Sequence, residues 1–218
     1  MKAALLLGIL VGFAGVLAGA HLYPWVDHPR LPSRTSVVAN GGRAETFLIH
    51  LPADRIQSAG AAAVGLRATA YPAGAELPPE LGDAAFLAEH FKIRDADGQV
   101  IGIAARHWTE ADGGPAAAWT LLIPSRGALF LAASGEAARR VDTALERAGQ
   151  RAGQQWSGQL DVELAGAEVP GRIVGGSEEF ARLGGTYRET WKITGVSPSG
   201  ELRGTIALDT ITARSAPL

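Results

Sequence analysis

TYRETWKITGV, residues 186–196, followed after SPSG by ELRGTIALDTI, residues 201–211, decides how this chain is read. Both halves alternate polar and apolar side chains, the two-residue period of a strand with one buried face. Between them Ser197-Pro198-Ser199-Gly200 is a turn tetrad. Pairing Val196 with Glu201 sets Tyr187, Trp191 and Ile193 on one face with Leu202, Ile206 and Leu208. The other face then receives Arg188 opposite Asp209 and Lys192 opposite Thr205, as a solvated surface should. One residue breaks the pattern. Glu189 falls on the apolar face, between Tyr187 and Trp191 and opposite Leu208, where an unpaired carboxylate is costly. Three fates are open to it: pairing with an arginine such as Arg106 or Arg126, exposure at a rim, or a place beside Trp191 on the wall of a ligand cavity. Glu189 and Trp191 are accordingly the candidate ligand-facing residues.

The rest of the second half reads the same way. Trp156, Leu160, Val162 and Leu164 alternate with Gln159, Asp161 and Glu163, and Val169–Val174 follows as a short strand. Ser177 suits the N-cap of a short helix, Glu178–Leu183, with two acids in its first turn. Gly135–Gln150 is the clearest helix, with Ala137, Val141, Leu145 and Ala148 on one stripe. Upstream, Ala117–Ile123 and Ala128–Ala133 are almost continuously apolar around Pro124-Ser125-Arg126-Gly127. That predicts central strands covered on both faces, with the helix as cover for one.

At Asp97-Gly98 a type I turn with Gly98 left-handed predicts a bulged hairpin in which Phe91, Ile93, Ile101, Ile103 and Ala105 share one apolar face. Thr46–Leu51 is the first strand, Val64–Tyr71 a weaker one, and Leu77–Leu87 a short helix. About ten short strands with tight turns predict a mainly β chain. Its antiparallel sheet is curled into a barrel or folded as a sandwich, with one docked amphipathic helix.

Ahead of this domain, residues 1–22 form an apolar segment, with no charged side chain from Ala3 to Ala20. Eighteen helical residues rise about 27 Å, near the thickness of a bilayer's hydrocarbon core. Two readings compete. Ala18-Gly19-Ala20 fits a signal-peptide cleavage site, which would leave a soluble periplasmic or secreted protein. Against cleavage stand the length of the run, Tyr23 and Trp25 as an interfacial aromatic belt, and the prolines of a stiff linker over 23–43. Retention is the preferred reading. It makes the segment a single transmembrane anchor in the inner membrane, with an extracytoplasmic β-rich domain over 44–218. Gly8, Gly12, Gly15 and Gly19 repeat at steps of four, three and four, a helix-packing stripe that would suit a homodimer or a membrane-protein partner.

Composition narrows the chemistry. A formal net charge of −2 without blocks of like charge gives no footprint for nucleic acid. The absence of cysteine removes disulfides, thiol catalysis and lipid attachment at a junction cysteine. No GxSxG elbow, phosphate-binding loop or dinucleotide fingerprint occurs, and the five histidines lack paired metal-ligand spacing. His50 and His107 are the pair that could converge. Asp95 and Asp97 bracket a turn, and Glu89-His90 stand at an expected helix-to-strand junction. No cofactor, metal or catalytic residue is therefore assigned. The expected role is noncatalytic: an envelope domain binding a partner or an apolar small ligand. The alternatives are an enzyme with a site around Glu189 and a histidine, and a structural subunit of an envelope complex.

Overall fold

A computed structural model describes residues 9, 11–16, 36–37, 43–60, 86–111, 114–124, 126–134, 136–151, 153–166 and 170–214. Two compact units divide at Arg30 and Leu31. In the first, residues 11–16 are helical and include Gly12 and Gly15 of the glycine stripe. Gly8 and Gly19 lie outside the described residues. Among the described residues no helix is long and apolar enough to cross a membrane.

The second unit is a closed antiparallel barrel. Its strands are β1 (Ser36–Val37), β2 (Arg43–Leu51), β3 (Arg55–Gly60), β4 (Phe86–Arg94), β5 (Val100–Ala111), β6 (Gly114–Ile123) and β7 (Gly127–Ser134). After helix α1 (Glu136–Arg147) come β8 (Trp156–Ala165), β9 (Gly171–Gly176), β10 (Leu183–Val196) and β11 (Leu202–Arg214). Eight of them run β2-β11-β10-β9-β7-β6-β5-β4 around the wall, and Leu48 opposite Arg94 brings β4 back to β2. β10 is shared on one side: its first half pairs with β9 and its second half with β8. Barrel closure, rather than a sandwich, leaves the wall few open edges. Of the other expected segments, Val64–Tyr71 lies outside the described residues. So does Leu77–Leu87 up to its last two residues, which open β4.

The final hairpin keeps its expected register over most of its length. Arg188 opposes Asp209, Glu189 opposes Leu208 and Lys192 opposes Thr205. Near the tip a bulge at Thr194 moves the pairing by one, so Val196 meets Leu202 instead of Glu201. Gly200, at φ +84°, closes the turn by donating to the Ser197 carbonyl. Tyr187, Trp191, Ile193, Leu202, Ile206 and Leu208 are all buried as expected.

Three expectations need correction. The Asp97-Gly98 turn forms with Gly98 at φ +80°, and Asp95 Oδ1 accepts from the Asp97 and Gln99 amides. A second bulge follows at Ile101, because Arg94 pairs with Val100 while Ile93 pairs with Gly102. Ile101 is buried, but beyond it the parity flips: Ala104, Arg106 and Trp108 are buried and Ile103 is exposed. Next, β6 and β7 are not covered on both faces. Helix α1 sends Val141 and Leu145 into the core and packs mainly on β8, leaving Leu122 and Phe130 exposed. Last, Ser177 caps no helix over Glu178–Leu183. Only a 3-10 turn, Glu178–Phe180, forms; Ser177 Oγ accepts the Ala128 amide instead, and Leu183 already belongs to β10.

Candidate functional site

Strand alternation carries the polar and indole side chains of one cluster into the lumen. They are Glu89 from β4, Arg106 and Trp108 from β5, Trp119 from β6, and Tyr187, Glu189 and Trp191 from β10; all are buried. Glu189, 1% exposed, is caged. Its Oε1 accepts from Trp191 Nε1 at 2.8 Å and its Oε2 from Trp119 Nε1 at 3.0 Å. Arg106 Nε stands 3.9 Å from Oε1, close enough for charge attraction but beyond a hydrogen bond. Of the two arginines suggested by sequence, Arg106 is the neighbour. Arg126 instead binds Glu45 and Glu179 and lies 4.9 Å over the Phe180 ring, where β6 turns into β7.

Arg106 ties Glu189 into a longer chain of alternating charge. Its Nη1 donates to Glu89 Oε2 at 3.2 Å, and Arg55 Nη2 donates to Glu89 Oε1 at 3.3 Å. Arg55, Glu89, Arg106 and Glu189 together are neutral, which offsets part of the cost of removing four charges from water. Indole faces add to this: the Arg106 guanidinium carbon lies 4.9 Å from the Trp191 ring centroid and 5.8 Å from that of Trp119.

Donors remain over in this cage. Arg106 Nε and Nη2, and the hydroxyl of Tyr187, have no hydrogen-bond partner among the described residues. Nε and Nη2 form the side-on fork of the guanidinium, suited to an oxygen acceptor. Burial above all, then the Glu189 charge, pushes the Tyr187 hydroxyl up, against a smaller opposing effect of Arg106. The phenol therefore stays protonated and can donate. Opposite it in β9 stands Gly171, whose lack of a side chain leaves room for the Tyr187 ring.

The histidines do not join this centre. His50, His90 and His107 occupy strand positions that alternate with the buried ones, and so face outward. His107 meets His90 rather than His50, ring edge to face at 6.3 Å between centroids. Burial, and secondarily His90, lowers its pKa. His21 and His28 lie outside the described residues. Among the described residues no three metal-ligating side chains come together. An open groove of about 480 Å³ lies along β2, β11 and β10, lined by Thr46, Thr186, Arg188, Asp209 and Ile211. There Thr46 Oγ1 donates to Asp209 Oδ1 at 2.6 Å.

Sequence reasoning missed Glu89 and Trp119 as members of the centre. Glu89, expected at a junction, lies within β4 and points inward. The available signal was Trp119 itself, an indole whose N–H needs a partner once buried. No protein-family description matches this sequence, and a comparison with curated proteins gives no match either.

Proposed function

We propose that this chain is a noncatalytic binding protein of the bacterial envelope, anchored in the inner membrane by residues 3–22 with its barrel in the periplasm. The observation that supports binding is the kind of hydrogen-bonding capacity left over in the lumen. A general base needs a carboxylate oxygen open to the proton it takes. Both oxygens of Glu189 already accept indole N–H groups. Among the described residues what stays open is donor capacity, at Arg106 Nε, Arg106 Nη2 and Tyr187 Oη. Donors flanked by indole faces favour holding an oxygen acceptor of a small, largely apolar molecule over moving a proton. An eight-stranded barrel has a lumen that side chains fill or that takes one small ligand. The enzyme reading needs a histidine beside Glu189, and the three described histidines face the other side of the wall.

Native mass spectrometry of the full chain released from detergent tests the binding reading. A small molecule retained by the parent and lost from Tyr187→Phe, with the fold intact, is the expected result; a parent chain free of adducts counts against it. Membrane fractionation with N-terminal sequencing tests the anchor. Pelleting with membranes and an N-terminus at Met1 or Lys2 is expected, and a mature start at His21 overturns it.

A further inference from the structure

The outer wall of the barrel is uneven. In the second unit the exposed large apolar side chains among the described residues are Ile56, Val100, Ile103, Leu122, Phe130, Val174 and Ile211. Five of these, Val100 to Val174, fall in one stripe across β5, β6, β7 and β9, each 39–57% exposed. Ile103 and Leu122 are cross-strand partners. Phe130 lies two residues beyond Ala128, the partner of Leu122, and so is its diagonal neighbour. Two bulges make the stripe. The extra residue at Ile101 turns Ile103 outward, and Val174 is itself the extra residue between Ile173, opposite Leu131, and Gly175, opposite Phe130.

Carboxylates are kept off the same wall. Described outward positions on β4, β5, β6, β7 and β9 hold Lys92, Arg172, His90 and His107 and no carboxylate, while Arg94 is paired with the buried Asp54. The outward carboxylates of the strands, Asp161, Glu163 and Asp209, are on β8 and β11, and Arg188, Lys192 and Arg203 stand among them. Lys92 is the cross-strand partner of Ile103, and Arg172 is two residues from Val174. Asp95 and Asp97, and Glu178 and Glu179, stand apart in the turns at the rim.

We propose that this stripe is the surface on which the barrel rests against an anionic lipid bilayer. Ile103, Leu122, Phe130 and Val174 enter the headgroup boundary, and Lys92 and Arg172 meet lipid phosphates. The proposal rests on the reading of residues 3–22 as a retained anchor. A convex wall with cations beside apolar side chains suits a fluid interface, where binding grows with buried apolar area and with attraction to anionic lipid. Tethering supplies a high effective concentration, so a patch too weak to hold a free protein suffices.

Because the chain has no cysteine, single labels report the contact cleanly. Leu122→Cys and, on the far wall, Lys192→Cys carry a polarity-sensitive dye in the full chain, one copy per nanodisc. Phosphatidylglycerol-rich discs are expected to blue-shift the dye at position 122 and leave that at 192 unchanged. Phosphatidylcholine discs, or added Lys92→Glu and Arg172→Glu substitutions, reverse the shift. Equal emission at the two positions in chains that stay with the discs overturns the docking alone, as does a shift that needs two copies per disc. A chain that does not stay with the discs overturns the anchor and this docking with it.

Discussion

Trp119 Nε1 donates to Glu189 Oε2 at 3.0 Å, joining β6 to β10 across the lumen and across 70 residues of sequence. This bond explains how a carboxylate survives on an apolar face. Two indole donors and the Arg106 charge replace the water it loses. Glu189→Gln removes the negative charge and turns an amide N–H₂ toward an indole N–H, leaving Arg106 less compensated. A loss of about 3 kcal/mol is expected in urea unfolding, as for breaking a buried pair from one side. A loss below about 0.5 kcal/mol, the range of an ordinary surface change, would mean that the cage contributes little.

Tyr187→Phe should act in the opposite sense on the isolated protein. It removes a buried hydroxyl that has no partner among the described residues, at no cost in ring packing. Stability is expected to stay level or to rise by up to about 1 kcal/mol. A clear fall in the melting temperature of ligand-free protein would show that the hydroxyl is satisfied after all.

Acid should weaken the fold through Asp54. Its carboxyl is fully buried in the turn between β2 and β3. Burial alone would raise its pKa, but the hydrogen bond from Arg94 and that from the His50 amide outweigh it and hold the group below the usual carboxylate range. A depressed folded pKa gives stability that is complete above the unfolded value, near pH 4, and is lost as pH falls through the folded one. Urea midpoints measured from pH 6 down to pH 2.5 should fall more steeply for the parent than for Asp54→Asn.

His107 offers a second pH probe, on the outer wall. Burial first, and His90 second, lowers its pKa, so the folded state favours the neutral ring. That contribution to stability is present above about pH 6.5 and declines as pH drops through the folded value. NMR titration is expected to place His107 below the ordinary histidine value. His90→Gln should move it up only part of the way, because burial is the larger cause.

Gly98 holds φ +80° at the β4–β5 turn, with nothing within 4 Å of a Cβ built there. Any cost of Gly98→Ala is therefore conformational. About 1 kcal/mol is expected in thermal unfolding, and less for Gly98→Asn.

Legibility in the sequence followed the strength of local pattern. The β10–β11 hairpin could be read to the residue: two long alternating strands and a four-residue turn fix the register except at the Thr194 bulge. Helix α1 and the turn at Gly98 were legible for similar reasons. The β5 face was not. Ala104 and Ala105 are alike as side chains, so nothing local announces the extra residue at Ile101 that decides which faces inward. That single bulge sends Arg106 into the lumen and Ile103 out to solvent, and so shapes both the buried centre and the proposed docking stripe.

Sequence by itself therefore determined the mainly β class, the last hairpin, and the anomaly of a glutamate among apolar side chains. Periodicity is a local property, and a two-residue alternation needs no knowledge of the rest of the chain. Only the tertiary structure decided that the sheet closes into a barrel and that Glu189 is held by Trp119, Trp191 and Arg106. Closure depends on a long-range pairing, Leu48 with Arg94, and the cage on side chains from three strands. Partners so far apart in sequence become neighbours only once the barrel has closed.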